Sequence, residues 1–303
     1  MKRVHVTGAS GFIGRAVVAR LREAGHDVTG SDLAAAHGVL PLDLRDRAAV
    51  VAMIRDLAPD IVVHGGAISG AMLATGDPAL MFDINVAGTL NVAEAMRQAR
   101  VARLVFLSPN AVYAEAPTRA PVGEEAPLGA GDAYGASKLA AEAILRAYAA
   151  SHGIATIALR ISSVFGAGRV TPYLISQTLD AARTGAAIEV TDTRSNMRQF
   201  VHVSDAARAV CLAVATTTVG FTPVNINGGT YLSEEQVVRL LLAEMPSPVL
   251  SVIADRGRDD DGCVGPLDIS RAAALLGYAP SVDIAEALAA LAQPAVTAGA
   301  PTS

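Results

Sequence analysis

Cysteine is nearly absent from this chain. The two present, Cys211 and Cys263, stand in no CxxC or Cys/His spacing. That argues against a disulfide framework or a zinc site and makes a reducing compartment the default. Tryptophan is missing and aromatic residues reach only 4%, so stacking platforms for nucleic acid are scarce. The 24 Lys+Arg are interspersed with 29 Asp+Glu for a net charge of −5, with no basic stripe. No run of about 18 uninterrupted apolar residues marks a transmembrane helix. The basic start Met1-Lys2-Arg3 leads into a stretch broken by Gly8, Gly11, Gly14 and Arg15, which does not read as a signal peptide. These absences lead us to expect a cytoplasmic protein with no nucleic-acid partner, no membrane partner and no metal. Lysine is scarce as well: only Lys2 and Lys138 are lysines.

What is present is apolar material. The 303 residues are 51% hydrophobic, enough for one large domain or a domain plus a smaller lobe. Short apolar runs at 4–7, 26–31, 61–64, 103–107 and 155–160 read as strands. Helical patterns at 12–24, 48–57, 78–100 and 133–152 alternate with them. That alternation predicts an α/β fold, a Rossmann-type doubly wound parallel sheet, with a smaller C-terminal substrate lobe. The rhythm loosens after Phe165. Helices are expected at 172–184, 204–215 and 283–291, extended chain at 199–203 and 224–227, and a helix capped by Ser233. Residues 1–165 plus about 196–227 are assigned to the dinucleotide-binding domain, and about 166–195 plus 228–293 to the substrate lobe. The tail 294–303 is read as disordered.

Thr7-Gly8-Ala9-Ser10-Gly11-Phe12-Ile13-Gly14 follows the first strand and opens the first helix. Gly8 permits the tight turn, Gly11 lets backbone approach a pyrophosphate, and Gly14 lets helix and strand pack closely. The helix start then offers Ser10, Phe12 and Ile13 backbone to the phosphates. Asp32 ends the second strand. A carboxylate there accepts from a ribose hydroxyl and repels a 2′-phosphate, which favours NAD over NADP. Asp43-Leu44 is placed near the adenine, and Gly65-Gly66-Ala67, ending the strand at 61–64, reads as backbone lying against the cofactor. His64 and His202 read as packed or hydrogen-bonded histidines.

Tyr134-Gly135-Ala136-Ser137-Lys138 falls on a predicted helix, so Tyr134 and Lys138 share one face. A free phenol has a pKa of about 10 and is a poor base at neutrality. An adjacent ammonium favours the phenolate, the positive nicotinamide ring of NAD⁺ helps, and lowering it toward 7 takes about 4 kcal/mol. The result is a general base that removes a hydroxyl proton as hydride leaves. A chain that prefers Arg almost everywhere keeps Lys here, and a compact ammonium can touch both a phenol and a ribose hydroxyl.

With these residues in hand, the chain resembles the extended short-chain dehydrogenase/reductase family, in its NAD-dependent epimerase/dehydratase branch, to about residue 290. Further matches are Asn85-Val86-Ala87-Gly88-Thr89, Val112-Tyr113, Leu159-Arg160, Arg198-Gln199-Phe200-Val201-His202-Val203-Ser204-Asp205 and Leu276-Gly277-Tyr278-x-Pro280. The resemblance implies tightly held NAD with Asn85 at the cofactor, a sugar-like substrate, and a homodimer through two long helices. It also exposes departures. The family's Ser or Thr four residues before the Val-Tyr tyrosine is Pro109 here, which has neither hydroxyl nor N–H. Ser108 and Asn110 flank it; Ser108 is taken as the catalytic donor, with Asn110 beside it in the substrate site. Ser163 stands where nucleotide-sugar enzymes tend to carry Asn, and Gln199 where the usual residue is Asp. Arg169, Arg194 and Arg198 are candidates for an anionic group, although Arg169 and Arg194 read equally as solvated. Asp259, Asp260 and Asp261 read as an acidic loop after Arg256 and Arg258, which could reach the substrate.

The expected activity is hydride transfer at a carbinol carbon of a sugar or nucleotide sugar, in an epimerase or dehydratase cycle. A net NAD-dependent dehydrogenase of a polyol, free sugar or sugar acid is the alternative. A non-catalytic dinucleotide sensor is a third, against which the retained Tyr–Lys pair argues.

Overall fold

The computed structural model describes residues 1–34, 36–69, 77–116, 118–192, 197–243, 245, 250–254 and 264–293. In its first part run β1 (Arg3–Thr7), α1 (Phe12–Glu23), β2 (Asp27–Asp32), β3 (Val39–Pro41), α2 (Arg47–Leu57), β4 (Ile61–His64), α3 (Pro78–Phe82), α4 (Gly88–Ala99), β5 (Arg103–Pro109), α5 (Ala133–His152) and β6 (Ala155–Ile161). Then follow β7 (Ser163–Phe165), α6 (Leu174–Thr184), β8 (Ile188–Asp192), β9 (Met197–His202), α7 (Val203–Ala215), β10 (Phe221–Ile226), β11 (Tyr231–Ser233), α8 (Glu234–Leu242), β12 (Leu250–Ala254), α9 (Ser270–Leu276) and α10 (Ile284–Ala292).

A seven-stranded sheet in the order β10-β6-β5-β4-β1-β2-β3 carries the first part, every pairing parallel. Side chains alternate across it, as the pleat requires. On β5, Val105 packs into the layer formed with α1 and α7, whereas Leu104 and Phe106 pack under α2, α4 and α5. Both faces are therefore covered, which explains why the central strands are rich in Val, Ile and Leu on both sides. Chain direction across the sheet reverses between β1 and β4, and such a switch point opens a crevice at the carboxyl ends of the strands. The edge strand β10 contains Pro223, a residue tolerated at an edge. Its free side is covered: the Glu124 carboxylate accepts from Asn225 N at 2.9 Å, and Arg271 donates to the Pro223 carbonyl at 3.2 Å.

A smaller lobe is built on two short sheets, β11-β9-β7 and β12-β8. Its core joins Phe165, Phe200, Leu179, Val237, Leu241 and Leu288. Ser233 caps α8 with a reciprocal capping box to Gln236.

Two expectations are corrected. The helix read as continuous over 78–100 contains a π-helical turn, Asp83–Ala87, between α3 and α4. The segment read as returning to the main sheet at about 196 does so first with α7, which packs on its face, and as a strand at β10, because β9 pairs with β7 and β11. The tail 294–303 lies outside the described residues.

Candidate active site

The turn after β1 closes with Gly8 at φ +74°, in the left-handed region. A Cβ at Gly8 would lie 2.7 Å from the backbone of Gly65 and Gly66, and one at Gly14 would run into the Gly8 carbonyl. The two glycine turns touch because Gly65 N donates to the Thr7 carbonyl at 3.1 Å and Gly66 N to Thr7 Oγ1 at 3.2 Å. Ala67 follows, half-buried. No side chain caps α1 at Gly11, so its first-turn N–H groups stay free for an anion. Ser10 Oγ is buried with no hydrogen-bond partner. An uncapped helix start, an orphaned hydroxyl and a backbone cradle suit a pyrophosphate. The Phe12 and Ile13 side chains pack against the core. Arg15 donates to the Ser10 carbonyl at 2.7 Å and to the Gly168 carbonyl at 3.0 Å, tying the turn to the lobe.

Asp32 sits beside this turn and accepts from Ser10 N at 2.9 Å and Leu33 N at 2.7 Å. The pair expected at the adenine lies in the loop after β3. Asp43 grips Arg45, with Oδ2 2.7 Å from Nη2, and that guanidinium holds its carboxyl below the usual range. Leu44 is buried beside Gly66 and Gly88. Asn85 is also corrected. Its amide is 1% exposed and fully engaged, accepting from Ile68 N at 2.8 Å and donating to Ile68 O and Ser137 Oγ at 2.9 Å each. It braces the loop after β4 against α5. His64 is a packed ring between Thr7 and Thr89, pushed down to about 3 by burial and by the Lys138 charge. His202 caps α7.

Asp132 caps α5, accepting from Gly135 N at 2.7 Å, and so places Tyr134 in the first turn and Lys138 one turn later. Lys138 Nζ lies 4.1 Å from the centre of the Phe106 ring. Among the described residues neither the Tyr134 phenol nor the Lys138 ammonium has a hydrogen-bond partner. The expectation of a phenol lowered by its lysine does not hold in the protein alone. Burial pushes Tyr134 up to about 12, the Asp132 charge adds to this, and Arg169 opposes it. Burial also brings Lys138 down to about 7 against the Glu142 charge. Arg169, read as equally solvated, is half-buried. It donates to Val164 O and Thr171 Oγ1 and stacks 3.9 Å from the Tyr173 ring.

Ser108 is not turned toward the crevice. It is 3% exposed and donates to Glu142 Oε1 at 2.6 Å, because β5 directs that side chain under α5. Asn110, in the single turn that follows Pro109, lines a cavity of about 320 Å³ together with Ser163, Arg198, Glu115 and Asp132. Arg198 is half exposed and paired with Glu234, Nη2 3.0 Å from Oε1. Gln199 accepts from Leu267 N at 2.8 Å and so fixes the strand-to-loop contact behind the cavity. A somewhat larger cavity, about 360 Å³, lies away from the crevice at the β10 edge. Arg194, Arg256, Arg258 and Asp259 to Asp261 lie outside the described residues.

The sequence model of the NAD dependent epimerase/dehydratase family matches residues 4–229. The chain belongs to that family. A UDP-glucose 4-epimerase of Streptomyces lividans is 32% identical over 301 residues, 91% of each chain. A dTDP-glucose 4,6-dehydratase of Streptomyces niveus is 30% identical over 307 residues, 94% of this chain and 90% of its own. The structure of MoeE5 in complex with UDP-glucuronic acid and NAD superposes with a TM-score of 0.82 at 29% identity, covering 95% of this chain and 96% of that one. This epimerase/dehydratase family member is an NAD-dependent enzyme of the hydride-transfer type. No helix among the described residues is long and apolar enough to cross a membrane.

Sequence reasoning missed the pair Glu142–Arg160 beneath the site. Its signal was present: Glu142 follows Lys138 by one helical turn, and an Arg within a β-strand core demands a carboxylate. The Arg15 bridge had no such signal, because it joins residues 153 positions apart.

Proposed function

We propose that this enzyme oxidises a secondary alcohol of a nucleotide-linked sugar and reduces the resulting ketone again, as an epimerase or dehydratase does. One observation carries the reading: Tyr134 and Lys138, without hydrogen-bond partners of their own, lie one turn apart on α5, and the Lys138 charge acts on His64, the residue that precedes the Gly65 turn. The activities named for the relatives from Streptomyces support it. The uncapped start of α1 and Ser10 hold the pyrophosphate, and Asp32 accepts from the adenosine ribose. Bound NAD supplies the hydride acceptor and donor. Tyr134 takes the hydroxyl proton and returns it. Lys138 holds its ammonium near both the phenol and a ribose. Asn110 takes the place vacated by Pro109 and Ser108, its amide N–H donating to the substrate oxygen. Ser163 and Arg198 receive the rest of the substrate, and the lobe closes over the sugar. The same reading includes a cytoplasmic homodimer packed through α4 and α5; Leu90 on α4, 38% exposed, supports a covered face there.

A second reading has a specific observation behind it. Arg198 is already paired with Glu234, and Ser163 replaces an amide, which weakens the grip on a diphosphate. Net dehydrogenation of a sugar or sugar acid would need no such grip. Mixing the purified protein with NAD⁺ and a panel of nucleotide sugars, free sugars and sugar acids separates the two. Isomer or dehydrated product without accumulating NADH supports the first. Stoichiometric NADH with a free sugar or sugar acid replaces it with the second. Bound NAD with no product from any substrate overturns both.

A further inference from the structure

Behind Lys138 lies a buried polar layer that the reaction above does not use. Arg160 on β6 is fully buried and meets Glu142 twice, Nη2 at 2.7 Å from Oε2 and Nε at 3.1 Å from Oε1. Ser108 donates to the same Oε1. Arg160 Nη1 donates to the Tyr113 hydroxyl and the Glu124 carbonyl, both at 3.0 Å, and Tyr113 donates to Asn225 Oδ1 at 2.6 Å. Burial works against the Arg160 charge, yet the hydrogen bonds and charge of Glu142 outweigh it and hold the guanidinium above its ordinary value. Such a pair contributes little net stability compared with apolar residues of the same volume. Its value lies in fixing where a charge sits.

The charge is fixed one helical turn from Lys138, on the same buried face of α5. Several described residues bear on that ammonium. From β5 come Phe106, under the ammonium, and Ser108, both uncharged. His64 on β4 is kept neutral. Tyr134 and Glu142 lie on α5, and Arg160 from β6 stands behind Glu142. Among the described residues Glu142 is thus the one carboxylate acting on Lys138 in a buried slot that otherwise disfavours its charge.

Resting on the hydride-transfer reading, we propose that Glu142 is a positioning residue, whose carboxylate, clamped by Arg160 and Ser108, keeps Lys138 an ammonium while leaving it free to face the crevice. A loose carboxylate would fold onto the lysine and withdraw it from the cofactor. The clamp supplies the field without the contact.

The scarcity of lysine makes this directly measurable. Protein labelled with carbon-13 at the lysine ε position gives two signals, Lys138 and the exposed Lys2, which serves as internal reference. In the full chain without cofactor, burial is expected to bring the Lys138 midpoint down to about 7. Glu142→Gln is expected to lower that midpoint by about one pH unit or more, with Lys2 unmoved. Because Glu142→Gln strands a buried guanidinium, which itself disfavours the lysine charge, the Glu142→Gln/Arg160→Met double variant is titrated as well, and a smaller fall in the same direction is expected. Glu142→Asp, which keeps the charge, is expected to restore at least half of the difference. An unchanged Lys138 midpoint in a double variant that unfolds cooperatively and binds NAD overturns the proposal. The readout is an ionisation, so it stands apart from sugar turnover, whose reading is tested separately by the substrate panel.

Discussion

Adding NAD⁺ should acidify one tyrosine by several pH units. In the protein alone burial and Asp132 push the Tyr134 phenol up to about 12, whereas a base working at neutrality needs a value near 7. Bridging that gap takes about 7 kcal/mol. A unit charge about 4 Å away at an effective dielectric of about 20 supplies about 4 kcal/mol. Lys138 is already present in the protein that gives this value, so the nicotinamide ring of NAD⁺ is the one charge added, and it should bring the phenol down by about 3 pH units, more than halfway to neutrality. The tyrosinate absorbance band, recorded against Tyr134→Phe as blank, follows this titration with NAD⁺, with NADH and with neither. NAD⁺ should lower the midpoint by several pH units; NADH, whose ring is neutral, should lower it far less. The sign carries over to binding. The complex favours the phenolate, so NAD⁺ affinity should rise with pH between the midpoint of the complex and about 12, and be flat below both. A Tyr134 midpoint that stays above about 10 in the NAD⁺ complex, or that falls equally with NADH, refutes this account of the base.

Three further outcomes are expected. Gly14→Ala forces a methyl into the Gly8 carbonyl; overpacking of this kind costs about 1–3 kcal/mol, visible as a lower unfolding temperature and weaker NAD binding in calorimetry. Asp32→Ala removes the acceptor beside Ser10 N, and NAD affinity should fall about tenfold, about 1.4 kcal/mol, while NADP affinity rises; titration with both dinucleotides checks the sign. Ser108→Ala leaves Glu142 short of one donor and should cost about 1 kcal/mol of stability. Asn110→Ala should leave the unfolding temperature alone and lower kcat/KM more than Ser108→Ala does. The reverse order would return the donor role to Ser108.

The fold was legible because its signals are local. Val4 to Thr7 and Ile61 to His64 are buried on both faces, so their valines and isoleucine read as short strands despite the histidines and Thr7 among them, and Gly8, Gly11 and Gly14 mark the turn by spacing alone. Tyr134 and Lys138 were legible for the same reason, one helical turn apart. What failed was direction. Nothing in the order Leu107-Ser108-Pro109-Asn110 tells which side chain faces the crevice; that follows from the pleat of β5, which sends Ser108 toward Glu142. The rise of the phenol in the protein alone was not legible, because burial is a property of the assembled core. Asn85 was placed at the cofactor by resemblance, while its role as a brace depends on Ile68 and Ser137, 17 and 52 positions away.

The π-helical turn at Asp83–Ala87 has a consequence for splicing the gene. An inserted residue puts the two flanking helices out of phase, so that Asn85 reaches Ile68 and Ser137 while Gly88 still lies flush on Leu44 and Thr89 on His64. Deleting a single codon within the turn would restore an unbroken α-helix and rotate one set of partners about 100° from its neighbours. The shortened protein would look more regular, and it would lose either the loop after β4 or the wall behind it.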